Sequence, residues 1–132
     1  MERFESLLGL NKSFEIATDE SMVWDEDNEL SYLHLVSTSS LFKEISATSF
    51  ELLNNYLTED ETSVVTKVEI EHMAPVVVGE RLVAGLRITD VSKNHVTFKA
   101  LILRESQKIA EINLTRVVVS KNYLRRKAFE HS

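Results

Sequence analysis

The chain has no cysteine, one proline and three glycines in 132 residues. Without cysteine there can be no disulfide, no thiolate metal ligand and no cysteine nucleophile, which suits a reducing compartment. No glycine-rich run could cradle a phosphate, and no nucleophile elbow is present. Internal repeats, low-complexity tracts and linkers are also missing. Positive charge is scarce: the formal net charge is -6 and the basic clusters are short, so nucleic acid is not an expected partner. No apolar run approaches membrane-spanning length, and "MERFESLLGL" at the start carries acids and no long apolar region. The expectation is a cytoplasmic protein with no membrane partner.

What is present is an ordinary globular mixture, 43% hydrophobic and 27% charged. The length suits one domain over 1–132, with 120–132 a tail or short terminal helix. "KSFEIAT" (Lys12 to Thr18) alternates as a half-buried strand, with Phe14 and Ile16 on one side. "DESMVWDEDNEL" breaks that pattern with acids around Met22, Val23 and Trp24 and reads as a loop whose aromatic plugs one end of the core.

Between Ser37 and Leu57 the period becomes helical, with Leu41, Ile45, Leu52 and Tyr56 near one face. The hydroxyls of Ser37, Thr38, Ser39 and Ser40 stand at its entrance, where one can accept from the first free amides. Four alternating segments follow. The first places Val64, Thr66, Val68, Ile70 and His72 on one face. The others bury Leu82, Ala84, Leu86 and Ile88, then Val96, Phe98, Ala100 and Ile102, then Ala110, Ile112, Leu114 and Val118. Short connections, "APVVVGE", "SKNH" and "ESQK", predict antiparallel neighbours. A helix of about twenty residues spans roughly 30 Å, so one helix can lie along such a sheet. The fold class is α+β, an antiparallel sheet wrapped around one long central helix.

This order, strand, long helix, four long strands, resembles the hotdog fold. "STSSLFKEISATSFELLNNYL" followed by "TSVVTKVEIEHMAPVVVGERL" is similar to the fluoroacetyl-CoA thioesterase family of hotdog proteins, roughly from Ser37 to Val119. In that family a small residue and a threonine open the helix, an acid lies two turns on, and the second strand ends in a histidine, with a glycine before the third. Here Ser37 and Thr38 match the pair, His72 the histidine and Gly79 the glycine. Ser46 stands where the acid would be, and the family's late segment reads "INLTRVVV", with Arg116 its main survivor.

The resemblance implies a hydrolase that cleaves, or a protein that binds, an acyl-CoA thioester at a dimer-interface site, in a homodimer or higher homo-oligomer. Hydrolysis of a thioester needs a nucleophile activated near neutral pH and donors where charge develops on the carbonyl oxygen. Imidazole, which ordinarily titrates around pH ~6.5, makes His72 the candidate base. Thr38 is the candidate nucleophile or orienting hydroxyl, and amides near Ser39 to Leu41 are candidate oxyanion donors. Ser46 joins Thr38 and His72 as a candidate catalytic position. On a continuous helix it would stand roughly 12 Å from Thr38. Ser37, Ser39, Ser40 and Arg116 are the candidate substrate-binding residues. A binding module that has lost the family's acid is the alternative reading. Glu44 and Glu51 are nearby acids that read as solvated helix-face charges. His34, His95 and His131 lack metal-ligand spacing, so no metal and no cofactor are expected. Arg125, Arg126 and Lys127 could meet coenzyme A phosphates, though a solvated tail is the simpler reading.

Overall fold

The computed structural model describes residues 3–130. Strand β1 (Asn11–Ala17) leads through short turns to helix α1 (Thr38–Asn54). Strands β2 (Glu61–His72), β3 (Arg81–Ser92), β4 (His95–Arg104) and β5 (Gln107–Ser120) follow, and helix α2 (Lys121–Glu130) closes the described chain. The strands form one five-stranded antiparallel sheet in the order β1-β3-β4-β5-β2. The alternation predicted for β3, β4 and β5 is present: their inward side chains, from Leu82 to Val118, are buried.

Helix α1 supplies the other half of the core through Leu41, Ile45, Ser49 and Leu53, spaced four apart so that they stack on one face. The predicted stripe is therefore displaced. Leu52 lies at its margin, and Tyr56 falls beyond the helix end and is exposed. The helix stops at Asn54 because the chain turns there, Tyr56 and Leu57 donating to the carbonyls of Leu53 and Asn54. The segment 19–30, predicted as a loop, contains one short 3-10 turn, Glu20–Met22; a second, Ser31–Leu33, follows it, and an isolated bridge joins Val23 to Val36.

Two expectations need correction. The connection "APVVVGE" does not join neighbours: β2 pairs with β5 at one edge of the sheet, while β3 lies between β1 and β4. The connection instead crosses one end of the sheet, held by Val76, which is buried, and by bonds from Val36 N to Val76 O and from Val78 N to His34 O. It closes at Gly79, whose φ of 100° is a conformation that glycine adopts without a Cβ penalty.

The inward face of β2 also differs. Ser63 faces Val118 and Val65 faces Arg116, while after a register shift Val68, Ile70 and His72 face Leu114, Ile112 and Ala110. Residues directly opposed in an antiparallel pair share a face. Thr66, left out of the register, is thus the bulge residue, and Val64 points to the other side. A bulge inserts one unpaired residue and reverses the alternation beyond it.

At the start of β2, Glu61 accepts from Arg3 Nη1 and Nη2 at 2.5 and 2.7 Å and from the Thr58 amide at 2.9 Å. The Arg3 hydrogen bonds, with the Thr58 amide, pull the Glu61 carboxyl down to about 2. A carboxyl with a folded pKa below its unfolded value of 4.5 stabilises the fold above that value and loses the contribution as pH falls toward 2. Thermal melts from pH 7 to pH 2 should therefore show a smaller acid decline for Glu61→Gln than for wild type. Equal declines would contradict this anchoring.

Candidate functional site

Helix α1 begins with Ser37 as its N-cap, extended in backbone and accepting from the Ser40 amide through its side chain at 3.1 Å. The Leu41 amide donates to the Ser37 carbonyl. Hydroxyl contacts join Ser37 to Ser40 at 2.6 Å and to Ser39 at 3.2 Å. The cap thus occupies two of the predicted oxyanion donors, the amides of Ser40 and Leu41. The amides of Thr38 and Ser39 take no acceptor among the described residues. They stand at the positive end of the helix dipole.

Thr38, the first helical residue, meets His72 from the end of β2, with Oγ1 and Nδ1 2.8 Å apart. The bulge in β2 puts the imidazole on the helix side of the sheet, where Pro75 of the crossing segment lines the same cavity. The other ring nitrogen, Nε2, is buried and has no hydrogen-bond partner among the described residues. With Thr38 donating to Nδ1, the ring's own proton sits on Nε2. A cavity of about 260 Å³ opens at this pair, bounded also by Trp24 and Pro75.

Ser46 is elsewhere. Its hydroxyl and carbonyl accept from Arg116 Nη2 at 3.1 and 2.8 Å. Arg116 Nε donates to Ser49 Oγ at 2.8 Å, and Nη1 to the carbonyl and hydroxyl of Ser63 at 3.3 and 3.2 Å. Arg116 is only 4% exposed, and its guanidinium faces hydroxyls and carbonyls, with no carboxylate bonded to it among the described residues. Its flank lies 5.4 Å from the Phe50 ring centroid, a distance suited to a cation–π contact. Burial pushes it down to about 10, still a cation at neutral pH.

The structure therefore brings Thr38 and His72 together and assigns Ser46 and Arg116 to a second locus. That locus forms the floor of an open cleft of about 540 Å³ with Phe42, Ala47 and Phe50. Ser49 and Ser63, which sequence reasoning passed over, complete it. Their signal was a serine at an inward position of each element. Glu44 and Glu51 do not bond to His72; Glu51 lies on the rim of the second cleft. A larger cleft, about 680 Å³, lies away from the Thr38–His72 pair, at the junction of β2 and α2.

His34 pairs with Glu20 at 3.0 Å, and no group of three metal-ligating side chains gathers among the described residues. His131 lies outside them. Arg125 bonds Asn122, and Lys127 bonds Glu130. No described helix is long and apolar enough to cross a membrane.

A single five-stranded antiparallel sheet around a central helix defines the hotdog fold, and the chain has that fold. The model of the fluoroacetyl-CoA-specific thioesterase FlK family matches residues 18–122, and the chain belongs to that family. No curated protein matches it by sequence. Among solved structures, a hot-dog-like protein from Thermanaerovibrio acidaminovorans superposes with a TM-score of 0.89 at 22% identity, covering 97% of this chain and 96% of its own. A thioesterase superfamily member from Thermus thermophilus gives 0.81 at 19% identity, covering 94% and 93%. A point variant of FlK in complex with fluoroacetate and CoA gives 0.78 at 13% identity, covering 89% and 98%. At these identities the structural likeness speaks for the fold.

Removing the Ser49 hydroxyl leaves the buried Arg116 Nε without an acceptor. Hydrogen bonds to charged groups contribute about 1.5–3 kcal/mol. Ser49→Ala should lose stability on that scale in urea unfolding, while Ser39→Ala, at an exposed position, should lose less than half as much.

Proposed function

We propose that the protein hydrolyses an acyl-CoA thioester at the Thr38–His72 pair. The observation that carries this reading is the 2.8 Å contact between Thr38 Oγ1 and His72 Nδ1 at the entrance of α1. Family membership and the FlK complex with fluoroacetate and CoA support the substrate class.

In this mechanism His72 Nδ1 takes the hydroxyl proton of Thr38 as Oγ1 bonds to the thioester carbonyl carbon. The free amides of Thr38 and Ser39 receive the developing oxyanion. The tetrahedral adduct collapses with cleavage of the carbon–sulfur bond, and the departing thiolate takes the proton from the imidazolium. Water then attacks the acyl-threonine, losing a proton to His72, and Thr38 Oγ1 leaves with that proton. Atoms balance to a carboxylic acid and free thiol.

A homodimer fits this reading. β2 is an edge strand with one unpaired side. Val68 and Ile70 share a face with buried Leu114 and Ile112 yet are 37% and 36% exposed. A second copy continuing the sheet through β2 would cover both and close an edge that natural proteins otherwise protect.

The alternative, a binding module without turnover, is favoured by one observation: no carboxylate bonds His72 among the described residues, and Ser46 is committed to Arg116.

Free-thiol release from short, medium and long acyl-CoA esters tests the proposal. His72→Ala should lower kcat about 10²–10⁴-fold, the usual scale of general-base loss. Thr38→Val should fall comparably, Thr38→Ser should retain most activity, and mass spectrometry of quenched wild type should show an acyl adduct on Thr38. No release with any ester would leave only the binding reading. Release indifferent to His72→Ala would remove the proposed base.

A second variant separates the readings. Ser46→Glu should raise the melting temperature by giving Arg116 a counter-charge. Hydrolysis appearing in that variant and not in wild type would mark a chain whose chemistry was lost with the acid.

A further inference from the structure

The cavity at the Thr38–His72 pair is about 260 Å³, below the ~300–1,000 Å³ usual for drug-sized ligands. Its polar side is the reacting pair and the cap serine. The rest of its wall is Trp24, Leu35, Val36 and Pro75, with no charged side chain. The pantetheine arm of a thioester carries amides that need hydrogen-bond partners, and this wall offers none. With the thioester carbonyl at Thr38, the wall therefore faces the acyl group.

Trp24 is the bulkiest part of that wall and is fixed in place. Its backbone amide donates to Leu35 O at 2.6 Å, and its indole Nε1 to Glu26 Oε1 at 2.9 Å. Val23, its neighbour, bridges to Val36, and Leu35 bridges to Val77. The Val36 amide donates to Val76 O at 2.7 Å, and the Ser37 amide to Met22 O at 2.9 Å. The aromatic thus rides on a small ladder tied both to the crossing segment and to the entrance of α1. A wall held by backbone bonds on both sides yields little to an oversized ligand.

We propose that Trp24 is the residue that limits acyl length at this site, which accepts a compact uncharged acyl group and rejects one that ends in a carboxylate or ammonium. The inference rests on the thioesterase reading for its substrate. Its physical basis is separate: an apolar wall gives a buried charge no partner, and such burial is strongly unfavourable. A rigid wall also discriminates by single methylenes.

The experiment measures kcat/KM for straight-chain acyl-CoA esters of two to ten carbons, together with succinyl-CoA against butyryl-CoA. Wild type, Trp24→Phe and Trp24→Ala are compared. Wild type should show a sharp fall at one chain length, about 10–200-fold for the methylene that no longer fits. Trp24→Ala should move that fall at least two carbons longer, with Trp24→Phe between, and succinyl-CoA should be at least tenfold poorer than butyryl-CoA. Identical profiles in all three proteins, or equal use of succinyl-CoA, would overturn the proposal.

A second readout does not need turnover. Trp24 is the sole tryptophan in the chain, so its emission reports directly on the cavity. Titration with non-hydrolysable thioether analogues of the same acyl-CoA series should shift the emission to the blue. Free CoA should leave it in place. The affinity should fall at the length where kcat/KM does. Emission that responds equally to free CoA, or not at all, would overturn the assignment even in an active enzyme. A length-dependent response without thiol release would uphold the cavity and remove the hydrolase reading.

Discussion

Nine residue positions separate Ser63 from His72, an odd interval, and an uninterrupted strand would put them on opposite faces of the sheet. Both point inward here. Ser63 is required at one end of β2 by the Arg116 guanidinium, which donates to its hydroxyl and carbonyl. His72 meets Thr38 at the other end. The two demands are compatible because Thr66 drops out of register. That unpaired residue lets one edge strand serve the core at its start and a polar pair at its end. Bulges commonly occur at sheet edges and next to functional sites, where they re-aim a side chain.

The two polar features on either side of the bulge differ in how they are satisfied. Arg116 is a charge in the core, yet its donors are spread over three serine hydroxyls and two carbonyls, so its hydrogen-bonding cost is met although its charge is not neutralised. His72 is half-buried and makes one hydrogen bond among the described residues, through Nδ1 to Thr38. A network in which every donor is occupied holds α1 against β2 and β5.

Much of the fold was legible because β3, β4 and β5 alternate, their buried positions apolar except for Arg116 in β5. α1 was legible by its period, although the true stripe runs through Ser49, a polar residue that hydrophobic periodicity passes over and that only the Arg116 partnership explains. β2 misled for a related reason. Val64 and Thr66 continue the alternation of Val68, Ile70 and His72 perfectly on paper, and no local signal announces the bulge. The crossover was hidden as well: "APVVVGE" has the length of a hairpin connection, and its true path depends on β2 pairing with β5, a long-range choice. At the site, Thr38 and His72 were legible through the family resemblance. The Ser46–Arg116 contact was not, because it joins positions 70 apart.

The separation of Ser46 from His72 has a mechanistic consequence on the proposed reading. Both Thr38 and Ser46 belong to α1, so the helix itself fixes their spacing at roughly 12 Å, and no side-chain rotation lets Ser46 reach the imidazole bonded to Thr38. Within one chain, position 46 therefore serves the core, and its role in any relative that carries an acid there would have to be exerted across a subunit boundary or on a distant part of the ligand. Here the serine neither orients the ring nor stabilises an imidazolium by charge. The proton taken from Thr38 must then be held by His72 alone, without the buried carboxylate that supports such rings in Ser–His–Asp sites. An unsupported base favours a substrate whose leaving group needs little help, and a thiolate, far less basic than an alkoxide or an amide nitrogen, is such a group. The same geometry that weakens the base thus narrows the chemistry toward thioesters and away from oxygen esters and amides.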